Sequence, residues 1–388
     1  MRLRLFVIFL SAFALILSCA APSGASVKAK GSVGKKAISK ALGGAKVNFA
    51  LMATASGTGE IFMLTRDAAS KTRDLGWALY DPSSNKVLAR GKCPFEHENK
   101  MVAVSPNARY AAAFSRFPTA LNVLDLKTGE WHEAYRNPAA DKEGLAIQQF
   151  VKAYSDSDSP LTFIDDDTVA SVLRDMVIRE GKKEQRDLVP VFYKVSGKRL
   201  DRGMSFSKCL TAAEKAVRDS GAAVDGRLTC GKMEFAGIDR YALVLSCGAK
   251  RFLVECGKGG ASVVDSVSGA ALKFKGFRGS DGALAYLVIK SDGQKKGSVP
   301  SAELRIAKSK DVKVVDSGRI VDCLVPDDGR IFVMIVSDSG RMAEVCLVKG
   351  KGDHEKIVST QKVASLSFGA KANVIYLISD EVQWVKII

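Results

Sequence analysis

The sequence predicts an all-β protein built as a single β-propeller of about seven four-stranded blades, with six or eight blades as the neighbouring solutions. Three observations predict it. After Lys46 the chain reads as short apolar strands separated by polar turns, with little helical period. One pattern recurs seven times: an apolar strand, a polar turn, then a longer and more hydrophobic strand. The copies are also spaced as blades are. With Ser56, Ser105, Asp165, Ala236, Ser280, Pro326 and Gly369 as turn markers, four of the six steps fall between 43 and 49 residues, and a four-stranded blade takes about 40–50.

The first element is a leader. Arg2 and Arg4 precede an apolar run over residues 5–17, and small residues follow to Ser26. This is the pattern of a secretory signal, too short for a span of about 20 residues. Two processing routes fit. Residues 16–19 resemble a bacterial lipoprotein box, which makes Cys19 a candidate lipidation site and residues 1–18 the signal. Ordinary cleavage after Ala25 makes the signal 1–25. The expected location is therefore the periplasm, or the outer membrane as an anchored lipoprotein.

Residues 26–46 follow as a basic arm. Lys28, Lys30, Lys35, Lys36 and Lys40 lie here with no acidic residue among them, in a chain of net charge +16. They are candidate contacts to an anionic surface, against the alternative of a solvated tether. Val33, Ile38 and Leu42 have the spacing of one face of a short helix ended by Gly43 and Gly44. The chain stops soon after the inner strands of the seventh copy, and an unclosed ring would leave an exposed edge. Residues 26–37 are therefore expected to supply the outer strand of the last blade.

The propeller itself is assigned to residues 47–388. Its clearest copies are 102–114, 161–173, 233–245, 323–335 and 365–378, with looser ones at 49–65 and 276–289. Outer hairpins are visible at 77–91, 121–135 and 189–203, where Gly129 and Gly197 give the backbone freedom that a tight turn needs. Two steps are long. The first is expected to hold a loop over residues 138–160. The second is expected to hold the charged stretch 179–187 and a helix near 208–220.

Ser105-Pro106-Asn107-Ala108-Arg109-Tyr110, followed by Asp125-Leu126-Lys127-Thr128-Gly129, resembles a blade of the bacterial WD40-like, TolB-like propellers. Those usually show Ser-Pro-Asp-Gly-Arg and then Asp-x-x-Thr-Gly. Pro326-Asp327-Asp328-Gly329-Arg330 is a second match to the turn. Asn107-Ala108 replaces Asp-Gly, and the Gly-His and Trp-Asp signatures of eukaryotic scaffold WD40 proteins are absent. The resemblance implies a ring of rigidly held loops that docks proteins or polymers at the cell envelope.

No catalytic, cofactor or metal set is legible. Residues 226–232 match most of a phosphate-binding loop, but Met233 stands where a Ser or Thr must hold magnesium, and a strand pattern follows. No Gly-x-Ser-x-Gly exists, and His97, His132 and His354 have no metal spacing. Asp165-Asp166-Asp167 and Asp327-Asp328 are carboxylate clusters that could bind calcium or act as an acid/base pair. Both fall on inner turns, where Asp is favoured for its local backbone bonds. Trp77, Trp131 and Trp384 read as packing anchors. Of eight Cys, Cys209 and Cys230 flank the expected helix and form the candidate disulfide.

The expected function is a non-catalytic envelope scaffold that docks a protein or an anionic polymer. Nucleic acid is excluded by export, and membrane contact is confined to a lipid anchor or the basic arm. The alternative is a propeller hydrolase or lyase whose channel site is assembled from distant blades. Three convergent acids or histidines at the channel would favour catalysis, and a Lys-rich lining would favour binding.

Overall fold

The computed structural model describes residues 27–66, 75–95, 97–115, 120–136, 146–150, 161–179, 182–200, 206–222, 224, 226, 228–237, 240–277, 282–290, 300–308, 311–326, 328–337, 342–361, 365–371, 373–379 and 381–388. Strand β1 (Val27–Gly34) and helix α1 (Lys35–Ala41) come first. Blade 1 is β2 (Lys46–Thr54), β3 (Ile61–Arg66), β4 (Leu75–Asp81) and β5 (Lys86–Cys93). Blade 2 is β6 (His97–Val104), β7 (Tyr110–Ser115), β8 (Ala120–Asp125) and β9 (Glu130–Arg136). Blade 3 has β10 (Ala146–Phe150), β11 (Thr162–Phe163), β12 (Thr168–Arg179), β13 (Lys182–Lys194) and β14 (Arg199–Leu200). Helix α2 (Phe206–Asp219) leads into blade 4, which is β15 (Thr229–Gly237), β16 (Arg240–Cys247), β17 (Lys250–Gly257) and β18 (Gly260–Ser268). Blade 5 is β19 (Ala270–Phe277), β20 (Leu284–Lys290), β21 (Ala302–Lys308) and β22 (Asp311–Gly318). Blade 6 is β23 (Ile320–Leu324), β24 (Phe332–Val336), β25 (Ala343–Gly350) and β26 (Asp353–Thr360). Blade 7 is β27 (Ser365–Gly369), β28 (Val374–Ile378) and β29 (Glu381–Ile387), with β1 as its outermost strand.

This is the seven-bladed, all-β propeller that the repeat spacing predicts. The seven sequence copies are the seven innermost hairpins. Second strands such as β20 (LAYLVIK) are buried over most of their length, because both faces of a blade pack against neighbouring blades. Outermost strands such as β18 are half-buried or exposed over most of their length, with Val264 buried at the centre. Each of the seven apolar clusters lies between two adjacent blades. One joins Phe62 and Leu64 of blade 1 to Ala111 and Leu124 of blade 2, and another joins Met63 and Tyr80 of blade 1 to Tyr376 and Val382 of blade 7.

The ring is shut by β1 running antiparallel to β29, with Gly34 opposite Glu381 and Val27 opposite Ile387. Residues 35–37, read from sequence as strand, begin α1 instead. Ile38 and Leu42 of this region sink into the cluster between blades 7 and 1. Gly43 and Gly44 follow α1 at φ +72° and +92°, where a side chain would be strained.

Blade 3 departs from the sequence reading. The expected loop 138–160 contains strand β10, which pairs with residues 173–177 of β12. The charged stretch 179–187 is no insertion: residue 179 and residues 182–187 belong to the far ends of β12 and β13, with Arg179 opposite Lys182. The expected helix is present as α2. Its Cys209, Ala213 and Val217, four residues apart, form a buried stripe, and the helix packs on β13, β17 and β18.

Candidate docking surface

Successive hairpins in a blade alternate between the two ends of its strands. The turn after each first strand therefore lies on one face of the ring, called here the first-turn face. Several hydrogen bonds that join blade to blade lie on it. Gly57 N–H donates to Pro106 O at 2.9 Å, and Asn107 N–H donates to Asp166 Oδ1 at 3.1 Å. Ala370 and Lys371 donate to Ser56 O and Gly57 O at 2.8 and 2.7 Å. Arg330 Nη2 donates to Asn373 Oδ1 at 2.7 Å, and Arg240 Nη2 to Gly282 O at 2.5 Å. Blades 6, 7, 1, 2 and 3 are thus linked in series, and blade 4 is linked to blade 5.

Of the carboxylates singled out from sequence, Asp166 belongs to this framework, and the others bond within their own blades. Asp165 Oδ1 accepts the N–H of Asp167 at 2.9 Å, a local turn bond. Asp167 pairs with Lys194, which, together with Asp165 and Thr168, holds its carboxyl below the ordinary value. Burial pushes Asp125 up, but the N–H groups of Lys127 and Thr128 and the guanidinium of Arg109 at 2.6 Å outweigh it, so the carboxyl lies low. Asp328 follows the same balance, with burial opposed by Arg330 at 2.5 Å. Asp327 lies outside the described residues. Among those described, no group of three or more His, Cys, Asp or Glu is arranged to hold a metal.

The resemblance at residues 105–110 has a local physical basis. Ser105 Oγ accepts the N–H groups of Arg109 and Tyr110 at 3.1 and 2.9 Å. Ala108 occupies φ +53°, where the family pattern has Gly. The turn geometry is kept at the cost of a strained alanine.

At the inner wall, Lys275 of β19 pairs with Asp322 of β23. Asp322 also accepts the N–H of Leu366 of β27 at 3.0 Å and of Cys323 at 2.9 Å. One carboxylate thus ties blades 5, 6 and 7 together. Among the described side chains of the innermost strands it is the one carboxylate, and Lys273 stands exposed close by. Farther out, His354 Nε2 meets the fully buried Asp316 at 2.7 Å, joining blades 5 and 6. His132 sits on the outer strand β9, and the side chain of His97 lies outside the described residues.

None of these cross-blade pairs was read from sequence. The partners of Asp322 and Asp316 lie 38 to 47 residues away, and no local pattern marks them.

The lysines of the arm are placed differently. Lys28 and Lys30 are exposed on β1, and Lys35, Lys36 and Lys40 are exposed on α1. None of them takes part in an ion pair among the described residues. Because Gly34 pairs with Glu381, which follows the β28–β29 turn, α1 lies on the face opposite the first turns. It forms a strap from the outer edge of blade 7 to the inner strand of blade 1. Cys19 and the leader lie outside the described residues. Cys209 is buried on α2, and Cys230 is half-buried on β15 in the same apolar cluster. Residues 229–237, which include the end of the phosphate-loop lookalike, form a strand.

No protein-family model matches the chain, and no curated protein matches it. Solved propellers are similar. The β-propeller domain of the Trilobed protease from Pyrococcus furiosus is 10% identical, covers 88% of this chain and 93% of its own, and has a TM-score of 0.48. Pyrococcus horikoshii acylaminoacyl peptidase is 10% identical, with 85% and 51% covered and a TM-score of 0.47. Porphyromonas gingivalis dipeptidyl peptidase 4 is 15% identical, with 82% and 47% covered and a TM-score of 0.41. The chain spans about half the length of these two peptidases.

Proposed function

We propose that this chain is a non-catalytic propeller scaffold of the cell envelope that docks an acidic partner through the lysine strap formed by β1 and α1. One observation carries the reading: Lys28 and Lys30 are exposed on β1, which shuts the ring, and Lys35, Lys36 and Lys40 are exposed on α1, which follows it directly. A rigid support of this kind holds charges in place without an ordering cost at binding. Opposite charge on a partner raises the rate and the specificity of encounter. The leader pattern of residues 1–25 supports an exported protein, and the resemblance at residues 105–129 supports an envelope role. Asp125, Asp165, Asp167 and Asp328 are engaged within their own blades, and Asp166 and Asp322 between blades, which fits a frame better than a reaction centre.

The test is binding of the purified chain to phosphatidylglycerol vesicles and to a soluble polyanion, with crosslinked envelope fractions as a third arm. Replacing the five lysines with Gln is expected to reduce capture at least tenfold in one of the three arms and to flatten its salt dependence. Equal capture by both proteins in all three arms would overturn the reading.

A further inference from the structure

We propose that Cys209 and Cys256 form a disulfide in the oxidised protein, fastening α2 to strand β17 of blade 4. Four thiols meet around one apolar cluster: Cys209 and Cys256 buried within it, Cys230 and Cys247 at its edge. Two of them are brought into direct contact. The Sγ of Cys256 lies 3.6 Å from the carbonyl oxygen of Cys209, and the Cys209 thiol is near enough to act electrostatically on that of Cys256. The pairing also follows from the course of the helix. Helix α2 runs along β17 and β18, which sets Cys209 beside Cys256, whereas Cys230 belongs to the innermost strand β15.

The bond would act where α2 needs it. The buried stripe of the helix, Cys209, Ala213 and Val217, consists of small side chains that bury little apolar area. A covalent tie at Cys209 would fix the first half of the helix.

The chemistry is thiol–disulfide exchange with a disulfide donor, such as oxidised glutathione or the disulfide of an oxidoreductase. One thiolate attacks the donor sulfur and expels a donor thiolate. The second attacks the resulting mixed disulfide and expels the other. Two cysteine thiols become one disulfide, and the donor leaves as two thiols. Burial pushes the Cys256 thiol up to about 12, with the nearby Cys209, Cys230 and Glu255 adding to the effect. In the closed fold it is therefore no nucleophile, so the bond forms while α2 is still undocked.

The experiment is refolding of the full chain with oxidised and reduced glutathione, alkylation under denaturing conditions, and non-reducing peptide mapping. A peptide joining Cys209 to Cys256 is expected. In the same protein, hydrogen exchange over residues 206–219 should speed up several-fold on reduction. Cys256→Ser should show the faster exchange with or without reductant. Alkylation of both Cys209 and Cys256 after oxidative refolding, or a Cys209–Cys230 peptide in place of the expected one, overturns the proposal. The mapping needs no variant, so it decides the question even if Cys256→Ser fails to fold.

Discussion

Gly31 of β1 lies directly against the indole of Trp384 across the strand pair that shuts the ring. A Cβ placed on Gly31 would fall 2.7 Å from the ring atom Cζ2. Gly91 and Trp77 repeat the relationship between the third and fourth strands of blade 1, again at 2.7 Å. In both blades the outer strand gives up a side chain so that a large ring can lie flat over it. Gly31→Val should therefore force the indole out of place and destabilise the fold by about 1–3 kcal/mol. Gly34→Ala, where a Cβ meets no atom within 4 Å, is the control. Urea unfolding of the two proteins checks the difference.

Removing residues 26–46 takes away both the outer strand of blade 7 and the buried Ile38. The edge of β29 would then be open to pairing with other chains. The truncated protein is expected to melt many degrees lower and to form soluble aggregates. Thermal scanning with light scattering measures both, and an unchanged melt would reduce the segment to a tether.

The His354–Asp316 contact joins blades 5 and 6 through a carboxylate with no exposed surface. His354→Ala leaves that buried acceptor with the Ser317 N–H at 2.8 Å but without the imidazole, which costs about 1–3 kcal/mol. His354→Gln keeps a donor there and should recover part of the loss. Chemical denaturation of the three proteins at one pH is the measurement.

Acid should destabilise blade 5 through Glu303. Lys290 at 2.6 Å and Arg305 at 2.6 Å hold its carboxyl below the ordinary value of 4.5, against the opposing effect of burial. A carboxyl with a lowered folded value binds protons more weakly in the folded chain than in the unfolded one. Its contribution is complete above the unfolded value and is lost as pH falls through the folded value. Melting temperature is thus expected to fall with pH below about 4.5, with a shallower slope in Glu303→Gln. Parallel acid limbs for the two proteins would remove Glu303 from the account.

The repeat was legible because each blade must present a polar turn between two apolar strands, and Ser105-Pro106 and Asp328-Gly329-Arg330 satisfy that locally. The same local logic explains the Asp clusters, whose bonds to neighbouring N–H groups follow from turn chemistry alone. Blade 3 was harder to read. The short β10 pairs with residues 173–177 across a gap in sequence, and nothing in Ala146–Phe150 alone distinguishes it from a loop. The Lys275–Asp322 and His354–Asp316 pairs were hidden for the same reason. They exist only once one blade is placed beside the next.

Val27 lies opposite Ile387, so the start of β1 and the end of β29 both lie on the first-turn face while α1 crosses the other. A molecule held by the segment before Val27 would turn its first-turn loops toward the point of attachment. The lysines of α1 would then look outward, toward whatever layer lies beyond, and the ring would serve as a spacer between two surfaces.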